Sequence, residues 1–212
     1  MKSIFYNFLT LLGFLVYGPD AFSQSKFAVS ATATPYYGHS KSTVEAMLPD
    51  PDGSGAITSQ VLRSEVSLKG CSAGLNGRYS FSKRWSASTG LWFNYFSINK
   101  SGTKSRSHNF SIPIIANLQT SERKLSPYFS AGALWNFVTT SRLTIPDFGT
   151  VTLKSGRNTS RISLLIGAGG IYHFGDRLLL IAQPTFTYAI PPSNVNTHTY
   201  QLGLNAQLML KL

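Results

Sequence analysis

Residues Thr199-Tyr200-Gln201-Leu202-Gly203-Leu204-Asn205-Ala206-Gln207-Leu208-Met209-Leu210-Lys211-Leu212 carry an apolar side chain at every second position. Tyr200, Leu202, Leu204, Ala206, Leu208, Leu210 and Leu212 fall on one side of an extended chain. Thr199, Gln201, Gly203, Asn205, Gln207, Met209 and Lys211 fall on the other. A period of two builds a β-strand with two unlike faces, whereas a helix of 3.6 residues per turn would scatter both sets around its axis. A strand of this length, even tilted, is long enough to cross the hydrocarbon of a bilayer.

The same alternation recurs toward the N-terminus. One apolar face runs Leu178, Leu180, Ala182, Pro184, Phe186, Tyr188, Ile190, and another Ile162, Leu164, Ile166, Ala168, Gly170, Tyr172, Phe174. Further faces are Leu125 to Phe137, Phe110 to Leu118, Trp85 to Tyr95 and Phe27 to Tyr37, each at every second residue. The segment from Val61 to Phe81 is the irregular one: its pattern changes phase near Cys71 to Ala73, and Gly70 and Gly74 mark the expected position of a bulge. No helical period follows the first 23 residues. Short polar turns (Ser82 to Arg84, Ser121 to Lys124, Gly175 to Arg177) alternate with generally longer connections (Gly38 to Gln60, Asn99 to Ser105, Val138 to Asn158, Pro191 to Asn196). Eight antiparallel strands linked in this way predict an all-β, up-and-down barrel.

Composition decides which face is wet. The chain has 212 residues, 42% hydrophobic and 13% aromatic, with only 13% charged; soluble domains carry roughly 25% charge. A soluble, lipocalin-like barrel would need Lys and Glu on its outward polar face. The polar set is instead mainly Ser, Thr, Gly, Asn and Gln, which suits a packed lumen. On the apolar faces, Phe27, Phe81, Trp85, Phe129 and Phe174 lie toward the short turns, and Tyr37, Tyr95, Phe110, Phe137, Tyr188 and Tyr200 toward the loops. Two aromatic bands separated by aliphatics are the pattern of a transmembrane barrel with girdles at both interfaces.

Residues 1–23 read as an export signal: Lys2, a mostly apolar stretch from Ile4 to Val16, and the small-x-small site Ala21-Phe22-Ser23. The expected mature domain is 24–212, delivered to a bacterial outer membrane with its termini and short turns in the periplasm. As an anchor the apolar stretch is short of the about 20 residues needed, and Asn7 and Thr10 interrupt it. The net charge of +11 admits nucleic acid or anionic lipid as a partner. Nucleic acid is disfavoured because the cations are dispersed over both ends and the aromatics stand on the lipid face. The single Cys71 excludes an intramolecular disulfide.

Ser111-Ile112-Pro113-Ile114-Ile115-Ala116 and Ser126-Pro127-Tyr128-Phe129-Ser130-Ala131-Gly132-Ala133 carry a local likeness to a known group. Over residues 25 to 212 the chain resembles the small eight-stranded outer-membrane barrels, OmpX-like and PorT-like. The resemblance implies assembly by the barrel-assembly machinery and a monomer in outer-membrane lipid and lipopolysaccharide. Many relatives end on an aromatic residue, whereas this sequence ends Leu210-Lys211-Leu212.

Three groups of residues invite chemistry. Asp50-Pro51-Asp52-Gly53-Ser54-Gly55-Ala56-Ile57 matches the opening of a calcium loop, with Asp50, Asp52 and Ser54 as donors. The twelfth position, where a bidentate Glu belongs, is Val61. The expectation is at most weak calcium binding, against a plain Gly-rich loop tip, and no other cofactor. Arg63, Glu65, Lys69 and Arg161 fall on the polar faces and predict a paired charge network plugging the lumen. Lys41, Lys100, Lys104, Arg106, Arg142, Lys154 and Arg157 near the loops are candidates for lipopolysaccharide phosphates, against ordinary solvation. His39, His108, His173 and His198 lie in separate segments without a motif. A non-enzymatic barrel with a structural, surface-interaction or secretion-accessory role is therefore expected. A rim-active lipid-modifying enzyme using His108 or His198, and a soluble ligand carrier, are the alternatives.

Overall fold

The computed structural model describes residues 26–49, 57–100, 103–145, 149–154, 160–191 and 196–212. The expected leader lies outside these residues. Among the described residues nine strands follow in chain order: β1 (Phe27–Pro49), β2 (Ile57–Ser80), β3 (Trp85–Lys100), β4 (Thr103–Gln119), β5 (Leu125–Ile145), β6 (Gly149–Lys154), β7 (Ser160–His173), β8 (Leu178–Ala189) and β9 (Asn196–Lys211). Each barrel strand pairs antiparallel with its neighbours, and β1 pairs with β9 to close the sheet. β6 pairs only with the outer end of β5, from Ile145↔Gly149 to Thr140↔Lys154, so eight strands form the wall. Closure leaves the membrane-embedded backbone with no free edge, which a bilayer requires because it offers no hydrogen bonds.

The outward face is apolar and exposed all the way round: Leu75 at 59%, Ile114 at 63% and Leu202 at 62% stand on three sides of the wall. The inward face is largely polar and buried, with Ser30, Thr32, Asn76, Ser111, Asn117, Gln183, Asn205 and Gln207 among its members. This is the inside-out distribution of a membrane barrel. Aromatic pairs mark both rims. Phe27 and Tyr79 (5.0 Å) and Tyr172 and Phe174 (4.9 Å) sit at the turn end, while Phe93 and Phe110 (5.5 Å) and Trp135 and Phe137 (5.1 Å) sit at the loop end. At the turn end the last residues are tied to the neighbouring strands by Leu212 N–H donating to Phe27 O and Lys211 N–H donating to Arg177 O.

Two expectations change. The connections read as loops from Gly38 to Gln60 and from Val138 to Asn158 are in large part strand: β1 and β2 continue as a paired ribbon to Pro49↔Ile57, and β5 continues into a hairpin with β6. Outside the bilayer no lipid demands an apolar residue at alternate positions, so the sequence pattern fades while backbone pairing persists. Second, β2 does not change phase. Its register with β1 runs unbroken from Phe27↔Tyr79 to Pro49↔Ile57. Gly70 and Gly74 face inward, where they leave room for other side chains rather than forming a bulge. A register irregularity between β4 and β5 falls at His108 and Asn109, opposite the extra residue Thr139 of β5.

Candidate functional site

The lumen is filled in layers. Toward the turn end Ala28, Tyr128, Ile171, Leu179, Ile181 and Met209 form an apolar cluster, and toward the loop end Trp92, Ile115, Leu134 and Leu165 form a second. Between and around them amide and hydroxyl side chains pair across strands. Asn205 Nδ2 donates to Thr32 and Thr34 at 2.7 and 2.8 Å, and Ser130 Oγ donates to Gln183 Oε1 at 2.7 Å. A relay runs from Asn94 to Ser111 to Asn136 to Ser163 over four strands. The inner cavity beside Tyr36, Trp92 and Asn205 has a volume of about 30 Å³, enough for a water molecule or two.

The expected lumen charge network is not there. With β2 in a single phase, Leu68, Ser72, Asn76 and Arg78 turn inward and are buried, while Arg63, Glu65 and Lys69 turn outward and are exposed. Glu65 pairs instead with its cross-strand partner Lys41 at 3.0 Å, both 55% exposed, on the outer side of the ribbon. Arg161 keeps the inward parity of β7 but stands exposed at the loop rim, where its carbonyl accepts from Asn136 Nδ2. Among the described residues, the charged side chain buried in the lumen is Arg78, which sequence reasoning missed. Its Nη1 donates to Tyr128 Oη at 3.3 Å and contacts Met209 Sδ at 3.6 Å, and its guanidinium stands 5.5 Å from the Tyr128 ring centroid. Reading β2 in one phase from Ser72 through Asn76 would have found it.

At the loop end the tertiary structure makes one juxtaposition that the sequence conceals. Arg106 on β4 and Arg142 on β5 are direct cross-strand partners, and both are exposed. They stand above the outer aromatic band, four residues beyond Phe110. Like charges placed directly opposite repel unless an anion lies between them. Of the other expected cations, Lys100, Lys104 and Lys154 have their backbone in β3, β4 and β6, and their side chains lie outside the described residues, as does all of Arg157. The calcium-loop residues Asp50, Asp52 and Ser54 also lie outside them. Among the described residues no three His, Cys, Asp or Glu side chains gather.

The histidines meet aromatics and amides. His198 Nδ1 is 2.8 Å from Tyr188 Oη, His173 Nε2 is 3.1 Å from Gln119 Nε2, His39 stacks near Tyr200, and His108 packs on Phe93 and Tyr95. Cys71 is exposed on the outer face of β2, between Pro35 and Tyr95.

Comparison with known proteins agrees with this geometry. The chain is similar in structure to Neisserial surface protein A, at 16% identity and a TM-score of 0.55, over 89% of this chain and 98% of that one. It is also similar to the N-terminal β-barrel domain of Pseudomonas aeruginosa OprF, at 15% identity and a TM-score of 0.41, over 88% and 99%. A search of curated proteins finds no match. Residues 22–195 match the family described as outer membrane protein beta-barrel domain. Together with a closed wall that is apolar outside and polar within, that match over most of the chain makes this protein a member of the outer membrane protein beta-barrel domain family, resident in the bacterial outer membrane.

Proposed function

We propose that this barrel is a non-enzymatic, non-conducting anchor that holds the β1–β2 ribbon outside the cell for contact with another macromolecule. The observation that carries the reading is the ribbon itself. β2 pairs with β3 only as far as Leu68↔Ile98, and β1 pairs with β9 only as far as Thr43↔Asn196. Beyond those points the two strands continue with each other alone. The outer edge of β2 from Ile57 to Arg63 is thus a row of backbone groups that β3 does not pair. Such an edge is a template for an added strand. Near it Val61 and Leu62 are 53% and 48% exposed beside Arg63 and Glu65, an apolar spot rimmed by charge of the kind that marks contact surfaces. The Arg106 and Arg142 pair supports lipopolysaccharide as the lipid neighbour on the β4–β5 side, since two exposed arginines at directly opposed positions suit a phosphate.

A photo-crosslinking residue at Val61, introduced into the full chain in intact cells, tests the reading. A discrete adduct that disappears when Leu62 is replaced by Asp is the expected result. A folded, surface-displayed barrel with no adduct from Val61 would overturn it.

A further inference from the structure

Among the described residues, the buried side-chain atoms without a hydrogen-bond partner include Arg78 Nε and Ser86 Oγ. These two belong together. Arg78 is paired in register with Ser88, and Ser86 with Ser80, so Arg78 and Ser86 are diagonal neighbours on the inward faces of β2 and β3. Ser88, the direct partner, accepts from Asn117 Nδ2 at 3.0 Å and is satisfied. Arg78 is 7% exposed and Ser86 fully buried, at the turn end of the lumen.

A guanidinium presents five N–H donors and no acceptor. Here Nη1 is used on the Tyr128 hydroxyl and the Met209 sulfur. Neither acceptor carries negative charge, and no carboxylate forms an ion pair with Arg78 among the described residues. A buried cation without a counter-charge is strongly unfavourable. A water would satisfy its hydrogen bonds but not its charge. The surroundings favour an anion as well: the turns and strand ends around this mouth carry Lys83, Arg84, Arg123, Lys124, Arg177 and Lys211 against Glu122 and Asp176. That excess of positive charge at the opening concentrates anions there.

We propose that Arg78 and Ser86 form an oxyanion-binding site at the periplasmic mouth of the lumen, which takes a phosphate group. The guanidinium supplies charge and its Nε–H donor, and the Ser86 hydroxyl donates beside it. The phosphate comes either from a free ion in the periplasm or from an anionic phospholipid headgroup of the inner leaflet.

The full mature chain, labelled with ¹⁵N-arginine and folded in an uncharged maltoside detergent, tests the site. The Arg78 Nε–H signal, assigned through Arg78→Lys, is followed while inorganic phosphate replaces chloride at constant ionic strength. A second arm uses nanodiscs of anionic phosphatidylglycerol or zwitterionic phosphatidylcholine in a buffer without inorganic phosphate. A saturable shift of that signal with phosphate identifies the free ion, and a shift in phosphatidylglycerol discs alone identifies the headgroup. Ser86→Ala, which removes one buried hydroxyl and keeps the wall intact, weakens the apparent affinity about three- to tenfold. No shift in either arm, or an equal response to chloride, with the protein still folded by its gel mobility, overturns the proposal and leaves water as the occupant.

Discussion

Inside the barrel, Trp92 Nε1 donates to Asn76 Oδ1 at 2.6 Å, a diagonal link between the neighbouring strands β3 and β2 on their inward faces. Both residues are buried, at 6% and 7% exposure. The indole fills space that a polar lumen would otherwise leave to water, and the amide satisfies its single donor.

Asn76→Ala removes that acceptor and strands a buried indole N–H. The expected loss is about 1–3 kcal/mol of folding stability, read from the urea midpoint of reversible folding into detergent or lipid. The Trp fluorescence of the folded state should change with it.

Two neighbouring glycines predict opposite outcomes. A Cβ on Gly74 would meet Trp92 Cδ1 and Leu91 O at 2.4 Å each, and backbone cannot move aside as a side-chain tip can. Gly74→Ala should cost about 1–3 kcal/mol or more from overpacking and reduce the yield of the folded, heat-modifiable form. A Cβ on Gly77 meets nothing within 4 Å, so Gly77→Ala should fold with the yield of the parent.

Leu91 is 54% exposed on the outer face between Trp85 and Tyr95. In a bilayer that exposure is to lipid. Leu91→Arg is expected to destabilise the barrel by about 2–4 kcal/mol, the cost of a cation near the midplane, measured by equilibrium unfolding in phospholipid vesicles. An equally stable variant would place Leu91 in water and refute the lipid-facing assignment.

The ion pair of Glu65 with Lys41 is half exposed on the outer side of the β1–β2 ribbon. Glu65→Gln should therefore change stability by less than about 1 kcal/mol, and the small effect should shrink further in high salt. A loss of several kcal/mol would be the signature of a buried lumen pair instead.

The filled lumen predicts electrical silence. With Trp92, Tyr128, Leu179 and Ile181 buried inside the wall and an inner cavity of about 30 Å³, purified protein in planar bilayers should show no stable conductance steps. A large steady single-channel current would mean that the interior opens.

The sequence by itself determined the barrel and its orientation toward lipid. Hydrocarbon accepts an apolar side chain at every outward position, and that constraint is local: it is written from Leu202 to Leu210 and from Ile162 to Phe174 as strict alternation. Short turns were equally legible, because Ser82 in Ser82-Lys83-Arg84 accepts the N–H of Trp85 at 2.9 Å and so fixes a tight reversal. What lay outside the bilayer was not legible, since β1 and β2 extend there on backbone pairing that any side chain permits. The charged positions were misplaced for a related reason. Arg63, Glu65 and Lys69 share a strand with Leu68, and the buried leucine imitates a phase change that only the unbroken register with β1 removes. Arg78 beside Ser86, and Arg106 opposite Arg142, are meetings of separate strands. They depend on the shear of the closed sheet, a non-local hydrogen-bond register that no window of sequence contains, and so the tertiary structure alone decided them.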